Sequence, residues 1–189
     1  MNKPKYGGKN RMIGFDFIEK EMMKLKEISI LEIGSLRFPD SWDGHGCATL
    51  FFAWLVNNHP KAKFVTVDID PKCIDNAVKA TNKLGISNNV KFITADAIDL
   101  FKGKNVIEKL DCVYLDGWDY FPNSQSEKKH FELFKLVDEY IKVGGYLLID
   151  DMYSPTSGKG ELIIPNVLES KRYIMVIHGY MVVLKKIKE

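Results

Sequence analysis

Five short apolar runs, each followed within two residues by a glycine or an aspartate, constrain this chain more than any other feature. They are Ile28–Ile33, 64–67, Val90–Thr94, Leu110–Leu115 and 146–149, and the residues that follow are Gly34, Asp68, Asp96, Asp116 and Asp150. Segments with apolar residues at helical spacing separate most of them: 12–26 as a leading helix, Cys47–Asn57, 71–84 opening on Pro71, and 127–142 closed by Gly144-Gly145. Strands that alternate with helices and are apolar throughout predict a parallel sheet covered on both faces. Two further strand-like runs, 173–178 and 180–186, flank Gly179 and predict a closing antiparallel hairpin. The expected fold is α/β, a doubly wound and mostly parallel seven-stranded sheet. It forms one domain over residues 1–189, with an N-terminal extension and helix over 1–27.

Composition narrows the partners. Hydrophobic residues make up 46% and charged residues 28%, and no apolar run approaches the length of a bilayer span. Basic residues number 27 and acidic residues 25, for a net charge of +2. The basic clusters Lys3, Lys5, Lys9, Arg11 and Lys185, Lys186, Lys188 read as solvated ends, so neither a membrane nor a nucleic acid is an expected partner. Cys47, Cys73 and Cys112 have no metal-like spacing and read as free thiols. With no apolar signal core after the basic N-terminus, this points to a cytoplasmic protein.

In doubly wound sheets, ligands bind beyond the carboxyl ends of the strands, where the strand order reverses. Gly34 permits a turn that brings backbone close to a ligand. Asp68 ends the second strand, where an acid can accept the hydroxyls of a ribose. Asp96 follows the third, where it can accept from an adenine amino group. Each of these residues also suits a turn or a helix cap, and only their order along the chain lifts them above that reading. Gly44-His45-Gly46 superficially opens a dinucleotide motif. It lies ten residues beyond Gly34, however, and has Thr49 where a third glycine belongs, so a nicotinamide oxidoreductase is a weaker alternative.

Together these segments resemble the class I S-adenosylmethionine-dependent methyltransferases over nearly the whole chain. Leu31-Glu32-Ile33-Gly34, Val67-Asp68-Ile69-Asp70 and Thr94-Ala95-Asp96 look like the three cofactor motifs of that Rossmann-like family. The resemblance implies that Glu32, Gly34 and Ser35 lie near the methionine moiety, Asp68 and Ile69 near the ribose, and Asp96 and Ala97 near the adenine. It departs from the family at 36–46, a loop insertion in the glycine turn. Gly44 and Gly46 would then resume that turn and offer backbone N–H groups to the cofactor carboxylate.

Asp116 follows the fourth strand and Asp150-Asp151 the fifth, so adjacent strands would bring three carboxylates to one rim. Such a cluster needs protonation or a cation, and hard oxygen ligands suit Mg2+. The alternative is that these aspartates cap the segments after them. The arrangement is similar to metal-dependent O-methyltransferases of the catechol and macrolide-sugar types, which implies Asp116, Asp150 and Asp151 as metal ligands and Asp116 beside the cofactor as well. Asp116-Gly117-Trp118-Asp119 lacks the proline pair of base N-methyltransferases, which points to a hydroxyl on a small molecule such as a sugar or catechol-like ring. The lysine that catechol enzymes carry after the tryptophan is replaced by Asp119. The candidates for a general base are therefore Asp119, His45 and His130. Trp118, Tyr120, Phe121 and Tyr153 are expected to wall the acceptor, and 154–160 to form a flexible loop beside it. Metal-independent transfer, non-catalytic cofactor binding and a site completed by a second copy of the chain remain open at this stage.

Overall fold

The computed structural model describes residues 8–38, 47–103, 108–121, 123–154 and 157–189, the side chains of Lys9 and Cys47 excepted. Helix α1 (Gly8–Met22) leads into β1 (Ile28–Ile33), α2 (Cys47–Asn57), β2 (Ala62–Asp68), α3 (Pro71–Lys83), β3 (Val90–Thr94), α4 (Ala97–Lys102) and β4 (Leu110–Leu115). There follow α5 (Ser126–Val137), a 3-10 turn (Asp138–Tyr140), β5 (Ile141–Ile149), the short strands β6 (Met152–Ser154) and β7 (Ser157–Gly158), α6 (Ile163–Glu169), β8 (Tyr173–Ile177) and β9 (Val182–Lys186).

The main sheet runs β3-β2-β1-β4-β5-β9-β8. The first five strands pair in parallel, and β9 pairs antiparallel with both β5 and β8. The expected seven-stranded doubly wound sheet with its closing hairpin is the observed one. Side chains alternate across it as the pleat requires. Ile30, Cys112, Tyr114, Tyr146, Leu148 and Val183 face α1 and α2 through Phe15, Ile18, Phe51, Phe52 and Leu55. Leu31, Val113, Leu115, Leu147, Ile149 and Leu184 face α4, α5 and α6 through Phe101, Leu133, Phe134, Val137, Ile163 and Val167. Among the described residues, no helix is long and apolar enough to cross a membrane. Cys73 and Cys112 are free and buried.

Several boundaries differ from those expected. The leading helix lies four residues early. Residues after Met22 turn back towards β1, and His59 Nε2 donates to the Leu25 carbonyl at 3.0 Å. The fourth long helix stops at Val137 instead of Lys142, because β5 already starts at Ile141, paired with Leu110. Gly144-Gly145 therefore sit inside a strand. Gly144 has φ +90°, and a Cβ on Gly145 would stand 2.9 Å from the Lys142 carbonyl oxygen, so the pair builds a bulge. The segment 154–160, expected as a flexible loop, includes part of the β6–β7 hairpin, and α6 follows it. Helices α4 and α6 are too short for their periodicity to show in the sequence.

Candidate active site

The strand order reverses between β1 and β4, and the turns that leave these two strands touch. The Asp116 N–H donates to the Ile33 carbonyl at 2.8 Å, and the Gly34 N–H to the Val67 carbonyl at 2.9 Å. Gly34 has φ +92°, and a Cβ there would stand 2.7 Å from the carbonyl carbon of Asp116. The glycine is required by the neighbouring strand's backbone as well as by its own turn.

A cavity of about 660 Å³ opens at this point. On the β1–β2 side it is lined by Gly34, Ser35, Asp68 and Ile69, which follow those strands, and on the β4–β5 side by Asp116, Tyr120, Asp151 and Tyr153, with Tyr180. Asp68 is held by backbone from both sides, its carboxylate accepting from the Ser35 N–H at 2.7 Å and the Asp70 N–H at 2.9 Å. The Ser35 hydroxyl is buried with no hydrogen-bond partner among the described residues, which leaves it available to a ligand. A narrow slot of about 20 Å³ continues between Ile69, Asp96, Ala97 and Trp118. Asp96 also caps α4, with Oδ1 accepting from the Ile98 N–H at 2.8 Å.

Beneath this end lies Glu32, fully buried, with the Thr49 and Thr66 hydroxyls donating to its Oε2 at 2.7 and 2.6 Å. Burial holds its carboxyl well above the usual range, against the pull of those two hydroxyls. It ties β1 to β2 and α2 and does not line the cavity, in contrast to the expected position beside a ligand.

At the other end, Asp116, Asp150 and Asp151 bring one oxygen each within 4.8 Å of one another, as the strand adjacency predicts. Two cations already sit on them. Arg11 Nε, from α1, donates to both Asp150 oxygens at 2.8 and 2.7 Å, and its Nη2 reaches Asp151 at 3.1 Å. Its guanidinium lies 4.7 Å from the centre of the Tyr180 ring. The Lys159 ammonium, only 1% exposed, contacts Asp116 and reaches Asp151 Oδ2 at 2.8 Å. The Tyr180 hydroxyl donates to Asp151, whose backbone adopts φ +49°, a conformation rare outside glycine. Burial raises the Asp116 carboxyl above its ordinary range, with Lys159 opposing. Burial also acts to raise Asp151, but there Lys159, Tyr180 and Arg11 outweigh it and hold the carboxyl low. Burial would lower the Lys159 ammonium, yet the three carboxylates keep it raised.

The sequence model of the methyltransferase-domain family matches residues 43–152, which span α2 through β5 and include the three aspartates of the acidic cluster. The chain belongs to that family. No match was found among curated protein sequences. Among solved structures, an rRNA methylase from Streptococcus thermophilus shares 16% identity, covering 95% of this chain and 98% of its own, with a TM-score of 0.65. The O-methyltransferase from Bacillus cereus, in complex with SAH, shares 14%, with 92% and 81% covered and a TM-score of 0.66. The O-methyltransferase TomG from Streptomyces achromogenes, involved in tomaymycin synthesis and in complex with SAM, shares 14%, with 93% and 80% covered and a TM-score of 0.64.

Within this methyltransferase domain the expected base candidates separate. His45, with Gly44 and Gly46, lies outside the described residues. Asp119 is 57% exposed at the cavity rim and pairs with Arg37 at 2.9 Å. His130 is buried away from the cavity lining, with Nδ1 donating to the Ser126 carbonyl at 2.8 Å and the ring edge-on to Trp118. Desolvation, assisted by Lys159, pushes it down to about 3. The expected acceptor wall divides too: Tyr120 and Tyr153 line the cavity, Trp118 lines the slot, and Phe121 points to solvent.

Sequence reading missed Arg11, Lys159 and Tyr180. In the sequence, Arg11 belongs to a basic cluster that reads as solvated, and Lys159 falls within the 154–160 segment that reads as a loop. The one sequence signal for Lys159 is its neighbour Gly158, which has φ +121° and packs close to the Met152 Cα (2.9 Å from a Cβ).

Proposed function

We propose that this chain transfers a methyl group from S-adenosylmethionine to a hydroxyl of a small molecule. The observation that carries the reading is one continuous cavity, with Gly34, Ser35 and Asp68 at one end and Asp116, Asp151 and two tyrosines at the other. The residues suit the cofactor: the unpartnered Ser35 hydroxyl, the side-chain-free Gly34 turn that lines the cavity and the slot beside Asp96 match a carboxylate-bearing nucleoside. Related folds in complex with SAM or SAH support S-adenosylmethionine as the cofactor.

When bound, S-adenosylmethionine supplies an electrophilic methyl on a sulfonium. The protein's share is alignment for an in-line displacement and a place for the acceptor's proton. Asp68 would hold the ribose hydroxyls, and Asp96 and Trp118 would border the adenine. Asp116 and Asp151 accept a hydrogen bond from the acceptor hydroxyl, which raises electron density on its oxygen. Tyr153, well exposed and 5.7 Å from Tyr120 between ring centres, offers the acceptor an apolar face.

A second reading, methylation of RNA, is favoured by one observation. The rRNA methylase fold is covered over 98% of its length, whereas the O-methyltransferases extend beyond the matched part. Against it stands a cavity rich in aspartate, which repels phosphate. Two measurements test these readings. Calorimetric titration is expected to show binding of S-adenosylmethionine and none of NAD, and the reverse would overturn the cofactor assignment. Transfer of labelled methyl to a panel of hydroxylated small molecules and to total RNA then decides the acceptor. Label in RNA alone replaces the first reading with the second.

A further inference from the structure

Three carboxylates within 4.8 Å of one another require protonation or compensating positive charge, and the fold supplies positive charge from its own chain. Lys159 is almost wholly buried, yet a lone ammonium is among the groups least tolerated in an interior. Its burial is explained only by Asp116 and Asp151, which it bridges. On the far side, the single Arg11 Nε–H is shared between both oxygens of Asp150, and Nη2 reaches Asp151, so one guanidinium spans two of the three carboxylates. The oxygens that would ligate a hard divalent ion therefore already accept from N–H donors. A metal would have to displace that buried ammonium or share the cluster with a second positive charge.

We propose that Lys159, backed by Arg11, is the built-in cation of the Asp116–Asp150–Asp151 cluster, so that the cluster takes up no divalent metal and methyl transfer proceeds without one. Lys159 is a positioning residue: it fixes the Asp116 and Asp151 carboxylates that face the cavity and does not itself line it. Gly158 makes this possible: it ends β7 with φ +121°, and the lack of a Cβ lets it lie against the Asp151 and Met152 backbone immediately before Lys159. The proposal rests on the acceptor end of the cavity assigned above.

Electron paramagnetic resonance titration with Mn2+ tests it, with adenosylhomocysteine binding measured calorimetrically on the same samples. The wild-type chain is expected to show no saturable Mn2+ binding in the millimolar range while binding adenosylhomocysteine. Lys159→Ala is expected to gain a Mn2+ site at least roughly tenfold tighter than any wild-type affinity, since one contacting positive charge is gone. Lys159→Arg, which keeps the charge, is expected to remain metal-free. Stoichiometric Mn2+ binding by the wild type overturns the proposal whether or not the variants fold, as does a Lys159→Ala protein that folds and gains no site. Loss of adenosylhomocysteine binding in the wild type would instead overturn the cofactor reading and leave the metal result standing.

Discussion

At the scale of single residues, two positions hold the cofactor end of the cavity in shape. Gly34 combines a left-handed backbone with direct contact to the Asp116 carbonyl group, so Gly34→Ala meets both a strained φ and a steric clash. It is expected to destabilise the fold by about 1–3 kcal/mol, read from urea denaturation. Asp68 accepts two backbone N–H bonds in the structure and has lone pairs left for a ribose. Asp68→Ala is expected to weaken adenosylhomocysteine binding by roughly ten- to a hundredfold, the usual loss for hydrogen bonds to a charged group. Calorimetry would reveal an unchanged affinity if the carboxylate serves only the two turns.

At the scale of elements, helix α5 is anchored by a histidine that the cavity does not use. His130 is buried and donates to the first turn of its own helix, and its edge-on contact to Trp118 fixes the segment after β4. Its folded value near 3 lies far below the unfolded value of about 6.5, so the unfolded chain takes up a proton that the folded chain refuses. The full contribution is present above pH 6.5 and is lost as pH falls through the window down to about 3. The loss approaches about 1.4 kcal/mol per pH unit. Unfolding free energies from urea denaturation at pH 7 and pH 5 are expected to differ by up to about 2 kcal/mol more in the wild type than in His130→Gln. Equal pH dependence in the two proteins would show that the ring is not held neutral.

At the scale of the whole molecule, α1 links core and site. Phe15 packs with Phe51, Phe52 and Tyr114 at ring separations of 4.6 to 6.0 Å, and Arg11, one turn earlier, reaches the aspartates. Phe15→Ala is expected to cost about 3–5 kcal/mol, measured by thermal or urea unfolding. Because it loosens the helix that carries Arg11, methyl transfer should fall further than the folded fraction alone explains. An activity loss that follows only the folded fraction would separate the two roles of α1.

The sequence by itself determined the sheet, its five strand-end residues and the convergence of three aspartates. Each of these follows from local patterning: apolar runs of strand length, a proline or aspartate at a helix start, and the rule that strand ends meet at the point of reversal. Only the tertiary structure decided what sits between those aspartates. Arg11 lies 139 residues before Asp150, and Lys159 lies 43 residues beyond Asp116, so no local period relates them. A lysine in a short glycine-containing segment reads as solvated until the hairpin that buries it is seen. The acidic cluster that suggested a metal from its composition is, in three dimensions, an acidic cluster with its cations already in place. Charge balance is a property of neighbours in space, and a strand-end motif names only neighbours along the chain.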